Sequence, residues 1–248
     1  MFSWWMMKIK KYASLDSTNA EALRLIAAGK AYEGLVIQAE EQTHGKGAGQ
    51  NTWESAPGQN LTFSVILQPH FVPPAQQFVL TEMVSLALLE VLKTRLENHV
   101  LKIKWPNDIW CNDKKIAGIL IQNRIKGDLL DYSVVGVGLN VNQTTFRSGA
   151  PNPASLKSFT GKNEERFALL HAILEKVSGY YTKLRTDRKA LEPLYLHNLY
   201  HFNEQASYAD DQGLFTGKIT GVDSFGRLIL VDSSGVQHIY GFKEVRFL

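Results

Sequence analysis

The amino-acid sequence predicts an α/β protein of the α+β type: a mixed, largely antiparallel sheet flanked by helices, with a small all-β unit after it. Three observations predict it. Short strand-like stretches between Val100 and Asn142 follow one another through tight turns, which makes antiparallel neighbours. Stretches with apolar residues at helical spacing, Gln76 to Glu97 and Glu164 to Leu184, supply helices to cover the sheet. After Asn203 the composition changes to short strand patterns separated by Ser-Gly and Phe-Gly turns, the pattern of a small barrel. The expected units are residues 1–202 and residues 203–248.

Taken in order, Lys8 to Tyr12 alternates enough to be a strand. In "LDSTNAEALRLIAAGK", Thr18 and Glu21 fit a capping box, Leu23, Ile26 and Ala27 form an apolar stripe, and Gly29 is the C-cap. The helix therefore begins at Ser17-Thr18-Asn19. "GLVIQAEEQ" and "NLTFSVILQ" are strands, the second with Leu61, Phe63, Val65 and Leu67 on one face. Pro73-Pro74 opens the long helix Gln76 to Glu97. "VLKIKWPND" is a strand ended by Pro106, and "DIWCNDKKIAGILIQN" is a hairpin turning at Asn112-Asp113. Lys126-Gly127-Asp128 turns the chain into "DYSVVGVGLNVN". Helices fill Glu164 to Leu184 and Lys189 to His201.

One connection resists this reading. "EEQTHGKGAGQNTWESAPGQN" sets Gly45, Gly47 and Gly49 two residues apart, which suits neither a helix nor an ordinary strand. From Thr43 to Asn60 it exceeds the usual connection in a compact domain, so it is a functional lid or a disordered loop.

Composition narrows the function classes. The chain has 248 residues, 44% hydrophobic and 21% charged, which speaks against global disorder. A net charge of +3 gives no argument for a nucleic-acid partner. The single cysteine, Cys111, excludes an intrachain disulfide and a Cys-rich metal site and fits a reducing compartment. The apolar start, Phe2 to Met7, is too short for a signal-peptide core. No stretch is expected to reach the ~20 apolar residues of a membrane span, and the expected location is the cytoplasm.

No nucleophile–base pair is legible: there is no G-x-S-x-G, and the seven histidines show no H-E-x-x-H. "GKGAGQNT" lacks the Walker A spacing, yet its successive free N–H groups can form a nest around an anion, with Lys46 adding charge. "KIKWPNDIWCNDKKIAGIL" gathers Lys102, Lys104, Asn107, Asp108 and Lys115 around strand ends and a hairpin. A lysine-decorated edge strand is the simpler alternative. Gly118 inside an apolar strand, and Gly136, Gly138 and Asn140 on one face of the next, point instead to a close approach by ligand or backbone. No metal-ligand set is identified.

With "LDSTN", "EEQTHGKGAGQNTW", "KWPNDI", "KKIAGIL" and "GVGLNVN" in this order and spacing, the chain resembles the biotin protein ligases, or biotin–[acetyl-CoA-carboxylase] ligases. The resemblance covers nearly the whole chain. It implies a fold related to class II aminoacyl-tRNA synthetases and lipoate ligases, followed by an SH3-like barrel. It further implies formation of biotinyl-5′-AMP from biotin and ATP with Mg²⁺, then transfer to one lysine of a carboxylase carrier domain. Such chemistry needs positioning and charge compensation rather than a protein nucleophile.

By the same resemblance, Ser17, Thr18 and Gln42 hydrogen-bond the biotin ureido group, with Asn19 beside them. Trp53 packs along the biotin. Lys46 and Lys115 meet the biotin carboxylate and α-phosphate, and Lys104 the reacting phosphate. Asn107 and Asp108 serve ATP, Mg²⁺ or transfer. The backbone at Gly45, Gly118 and Gly136 approaches ligand closely, while Gly47, Gly138 and Asn140 lie by the adenylate. The glycine loop becomes a lid, mobile when empty and ordered when filled.

The chain departs from the family at the loop. Lys46 stands for an arginine, Ala48 occupies a position where arginine is common, and Gly49 one where a longer side chain is common. No tryptophan in "APNPASLKSFTGK" matches the one that stacks on adenine in some members.

A lipoate–protein ligase is the nearest rival, although its H-D-x-G-N pattern is missing here. A non-catalytic biotin-binding module would not need the lysines. A DNA-binding repressor would need a helix-turn-helix module before "LDSTN", where only 14 residues stand, so no sequence-specific DNA binding is expected. Some members of the family form homodimers through the central sheet.

Overall fold

The computed structural model describes residues 8–149 and 152–248. The expectation for Phe2 to Met7 lies outside them. Seven strands form the main sheet in the order β1-β2-β3-β7-β6-β5-β4. They are β1 (Lys8–Leu15), β2 (Leu35–Gln42), β3 (Leu61–Leu67), β4 (Leu101–Lys104), β5 (Asp108–Cys111), β6 (Lys114–Lys126) and β7 (Leu129–Leu139). Only β1 and β2 are parallel, because α1 (Thr18–Ala27) carries the chain back between them; every other neighbour is antiparallel.

The two faces of this sheet are covered unequally. Leu61, Phe63, Val65 and Leu67 share one core with α2 (Val79–Lys93), α4 (Arg166–Thr186) and α5 (Leu191–His197). On the opposite face α1 is the one helix that packs among the described residues, with Ala22, Leu25 and Ile26 against Ile37, Ile66 and Val134. That second face continues past α1 as a row of directly paired residues: Ala39, Thr62, Gly138, Gly118, Asp108 and Lys104. Cross-strand partners point to the same side of a sheet; Ala39 and Thr62 in this row are buried, and the end from Gly138 to Lys104 lines a cavity.

The C-terminal strands β8 (Gln205–Ala209), β9 (Leu214–Val222), β10 (Leu228–Asp232), β11 (Gln237–Tyr240) and β12 (Arg246–Phe247) form an antiparallel sheet in the order β11-β10-β9-β8-β12. It seats on the first unit at the turn before β10. There Trp105 Nε1 donates to the Gly226 carbonyl at 2.9 Å, and the Phe78 ring lies against Gly226.

Several local expectations are corrected. Ser17, not Thr18, is the N-cap of α1, and no side chain caps it. Thr18 Oγ1 instead donates to Gln42 Oε1 at 3.2 Å, while Glu21 pairs with Arg24 and accepts from Tyr12. Tertiary partners outbid a local cap for both side chains. Ala28, not Gly29, is the C-cap, and Gly29 follows it in the left-handed region, φ 66°. The helix expected from Gln76 to Glu97 is a 3₁₀ turn, Pro74–Gln76, then α2, which stops at Lys93.

By length and composition Pro74–Lys93, 20 residues long with a mean hydropathy of 1.4 over an 18-residue window, could cross a membrane, contrary to the expectation that no stretch comes close. It is a core helix, apolar all round because both the sheet and α4 cover it. The helix expected from Lys189 to His201 is a 3₁₀ turn and the shorter α5. The short α3 (Leu156–Thr160), closed by a Ser155–Ser158 capping box, was not expected.

Candidate active site

One cavity of about 540 Å³ opens over the Gly138-to-Lys104 end of that row. Its lining includes Ser17, Thr18, Asn19, Gln42, Lys46, Gly47, Trp53, Lys104, Asn107, Asp108, Lys115, Gly118, Gly136, Gly138 and Asn140. Of the residues singled out in the sequence, Gly45, Gly49 and Lys102 are not in that lining.

The polar end is built where α1 starts beside the end of β2. Thr18 donates to Gln42 Oε1 from its backbone N–H at 2.8 Å. Ser64 Oγ, in the middle of β3, lies 2.7 Å from Thr18 Oγ1 and 2.6 Å from Asn19 Oδ1. Asn19 also donates to the Leu120 carbonyl and to Gln122 Oε1. Buried polar groups held this way are pre-positioned, which is what a specific hydrogen-bonding pocket requires.

The floor is made of glycines, and each glycine has a neighbour that explains it. Gly118 and Gly138 are paired across β6 and β7, and the Trp53 indole lies flat on them. A Cβ on Gly138 would come 2.3 Å from Trp53 Cε2, and one on Gly118 3.1 Å from Trp53 Cζ3. The space over Gly136 belongs to the Asn19 amide, 2.2 Å from a built Cβ. The space beside Gly45 belongs to the Trp53 carbonyl, at 2.4 Å. The close approaches expected of a ligand at Gly45 and Gly136 are thus made by the protein itself, and they fix Trp53 and Asn19.

The glycine loop folds back on itself. Trp53 N–H donates to the Gly45 carbonyl at 2.9 Å and Gly47 N–H to the Asn51 carbonyl at 2.8 Å. Lys46 therefore stands exposed on a small hairpin rim, opposite Thr52. Phe242 and Lys243 of the C-terminal unit approach Gly49 from outside.

The charged end is created by a bulge. Between β5 and β6 the register slips after Ile109, so that Ala117 pairs with Ile109 but Lys115 with Trp110. Ile116 and Ala117 both turn to the core, and Lys115 is swung onto the site face with Gly118. Re-aiming a side chain is what a bulge does. Its backbone is clamped by the segment after Pro151, with Lys115 N–H on the Asn152 carbonyl and Ala154 N–H on the Lys115 carbonyl, both at 2.9 Å.

Lys115 Nζ meets Asp108 Oδ2 at 2.8 Å. Burial pushes the Asp108 carboxyl above the usual carboxylate range, against the opposing pull of Lys115 and Lys104. Burial likewise lowers the Lys104 ammonium below its ordinary value, with Asp108 opposing and Lys115 reinforcing the shift. Asn107 is fixed by its side chain on the Ile119 carbonyl, and Ile119 N–H returns to the Asn107 carbonyl. Asn140 donates to the Ala154 carbonyl at 3.0 Å, while its buried Oδ1 has no partner among the described residues.

The sequence reading missed Ser64, Trp110, Phe242 and the Glu54–Gln143 brace, in which Glu54 accepts from Gln143 and from the backbone of Arg147 and Ser148. Ser64 left a trace in sequence, as a hydroxyl between Phe63 and Val65 in a strand that also carries Thr62.

Among the described residues no group of three or more His, Cys, Asp or Glu could hold a metal. Asp108 is a carboxylate at the charged end. One carboxylate fits a magnesium ion that arrives on nucleotide phosphates, since such ions keep most of their water and phosphate ligands.

Comparison with known proteins gives the arrangement its lineage. The model of the Biotin/lipoate A/B protein ligase family matches residues 12–140, and that of the Biotin protein ligase C terminal domain matches residues 208–243. The chain is 30% identical over 236 residues to the Bifunctional ligase/repressor BirA of Bacillus subtilis (strain 168), covering 92% of this chain and 71% of that protein. It is 30% identical over 239 residues to the Biotin--[acetyl-CoA-carboxylase] ligase of Paracoccus denitrificans, covering 92% and 95%. The solved biotin protein ligase from Aquifex aeolicus, in complex with biotin and ATP, has the same fold, with a TM-score of 0.78, 24% identity and coverage of 97% and 99%. A family model over more than half of the chain, in the stretch that builds the cavity, shows that the chain belongs to the biotin/lipoate A/B protein ligase family.

Proposed function

We infer that this chain is an ATP-dependent biotin–protein ligase, which converts biotin to biotinyl-5′-AMP and transfers the biotinyl group to a lysine of a carboxylase carrier domain. The observation that carries the reading is the order of chemistry along one cavity. A hydrogen-bonding end, an aromatic side chain on a glycine floor and a lysine-rich end follow each other beside β7. From Gly136 to Asn140 a strand advances roughly 14 Å. Such a trough suits an elongated ligand with a polar head, an aliphatic middle and an anionic tail. Relatives at 30% identity are named for ligation of biotin.

In the first step a biotin carboxylate oxygen attacks the α-phosphorus of ATP, the bond to the bridging oxygen breaks, and pyrophosphate leaves. Ser17, Thr18 and Gln42 hold the ureido group, with Asn19 locked behind them, and Trp53 shields the tail from water. Lys46 on the loop rim, Lys104 and Lys115 oppose the charge gathering on the phosphates, a water-poor setting in which such contacts matter most. Asn107, Asp108, Gly47 and Asn140 serve the nucleotide side, where Asp108 would hold a magnesium ion brought by the nucleotide, which would supply further charge neutralisation.

In the second step the amine of the carrier lysine attacks the acyl carbon, loses one proton, and AMP leaves. Two reactants held together account for the catalysis without a protein nucleophile.

Incubation with biotin, MgATP and a biotin carboxyl carrier domain should add the mass of one biotinyl group to the carrier. An unchanged carrier that instead gains mass from lipoate would transfer the reading to the lipoate ligases. We place the enzyme in the cytoplasm, a reducing compartment that suits the buried free thiol of Cys111; a periplasmic or secreted pool on fractionation would contradict this. A homodimer through the central sheet would use the β1 edge, because Asn198 and Tyr200 already bond Ile103 on the outer side of β4. Sedimentation as a monomer with and without biotinyl-AMP would exclude it.

A further inference from the structure

Lys104 is held differently from the other lysine beside it. Lys115 is paired with Asp108, so much of its charge is already answered. Among the described residues the Lys104 Nζ has no carboxylate within ion-pair distance and no hydrogen bond, although its backbone pairs with Asp108. Its Nζ lies instead over aromatic faces: 3.8 Å from the ring centre of Trp110, 5.0 Å from Phe247 and 5.8 Å from Tyr200. Aromatic faces attract a cation through their quadrupole and carry no net charge. They can therefore fix an ammonium without cancelling its field, which a carboxylate cannot do.

The three walls come from distant parts of the chain. Trp110 lies on β5, in the bulged pair that also aims Lys115. Tyr200 follows α5, with its N–H on the Ile103 carbonyl at 2.8 Å and its hydroxyl on Asp113 at 2.8 Å. Phe247 belongs to β12, a strand of two residues whose place is set by pairing with β8 and by the edge of the Tyr208 ring, 5.4 Å between centres. The last strand of the C-terminal unit thus reaches back to a side chain that lines the cavity of the first.

We propose that Phe247 is a positioning residue for the ligation: with Trp110 and Tyr200 it holds the Lys104 ammonium as an unneutralised charge at the phosphate end of the site. The proposal rests on the reading that Lys104 meets the nucleotide phosphates. It gives the C-terminal β unit a defined part in adenylation.

The test is a double-mutant cycle on biotin-dependent pyrophosphate release, with F247L and K104M as the two arms and biotin affinity in the absence of ATP as the fold control. F247L keeps apolar bulk and removes the ring face. It should lower kcat/KM for ATP by roughly threefold to thirtyfold, the range a partly desolvated cation–π contact supports, while biotin affinity is unchanged. F247W and F247Y should restore the rate. In the K104M background F247L should cost nothing further, a result that a purely structural role would not give.

Additive losses in the cycle, or full activity of F247L beside an impaired K104M, would overturn the proposal and leave the role of Lys104 standing. Wild-type kinetics in K104M itself would overturn both. If F247L loses biotin binding, Y200L carries the same cycle.

Discussion

Lys115 illustrates how much rests on the geometry of single residues. It reaches the site only because the β5–β6 bulge turns it away from the core, and there it shares Asp108 and lies over the Trp53 ring at 5.7 Å. Lys115→Ala should reduce biotin-dependent pyrophosphate release by roughly 10²- to 10³-fold, the usual loss when one charge-stabilising contact is removed from a preorganised site. A wild-type rate in that variant would end its assignment to the reacting carboxylate and phosphate. Gly138 shows the converse, a residue whose part is to be absent. Its missing side chain is the space in which the indole lies.

At the scale of elements, the glycine loop and α2 make separate predictions. The loop is held to itself by backbone bonds between Gly45 and Trp53 and between Gly47 and Asn51, and it carries Lys46, the sole trypsin site between Lys30 and Lys93. Brief trypsin treatment of the free protein should cut after Lys46, and a non-hydrolysable biotinyl-AMP analogue should suppress the cut by closing the loop over the site. Equal cleavage at saturating analogue would mean that this segment is not a ligand-ordered lid.

In α2, Glu82 is only 7% exposed, and burial, reinforced by the like charge of Glu192, raises its carboxyl to about 7. The unfolded chain releases that proton near the ordinary glutamate value, so folding is increasingly penalised as pH rises from about 4.5 to 7 and the penalty is constant above. Glu82→Gln should therefore stabilise the protein at pH 8, on the order of 3 kcal/mol, and the gain should shrink towards pH 5. Chemical denaturation at the two pH values reads the difference; a pH-independent effect would show that Glu82 stays ionised in the fold.

Across the whole molecule, the two sheets meet at Gly226 and at Lys104. Gly226 has φ 86°, and a Cβ there would lie 2.3 Å from the Phe78 ring, while its carbonyl accepts the Trp105 indole N–H. Gly226→Ala combines a left-handed alanine with overpacking, together roughly 2–4 kcal/mol, and should loosen the C-terminal unit from the catalytic one. Hydrogen exchange should rise in β8 to β12 and around Trp105 before it rises in β2 or β3. Uniform exchange throughout the chain would show that the two units unfold as one. Because Trp105 precedes Pro106, Asn107 and Asp108, the same variant should slow adenylation more than it weakens biotin binding.

The sequence by itself determined the strands, the main helices, the change of character after Asn203 and the motifs around the cavity. Those features are local: alternation, helical spacing and turn residues act within a few positions, and Asn112-Asp113 does turn the hairpin with both residues at positive φ. Tertiary structure decided what local signals cannot carry. Thr18 and Glu21 have the spacing of a capping box, yet partners in β1, β2 and β3 claim their side chains. Pro74–Lys93 has the composition of a membrane span and becomes a core helix because a sheet and another helix cover it. No one-dimensional pattern shows the slip that exposes Lys115, the indole that needs two glycines, or the ring of Phe247 beside Lys104. Each depends on residues far apart in the chain meeting at contact distance, and only the closed fold brings them there.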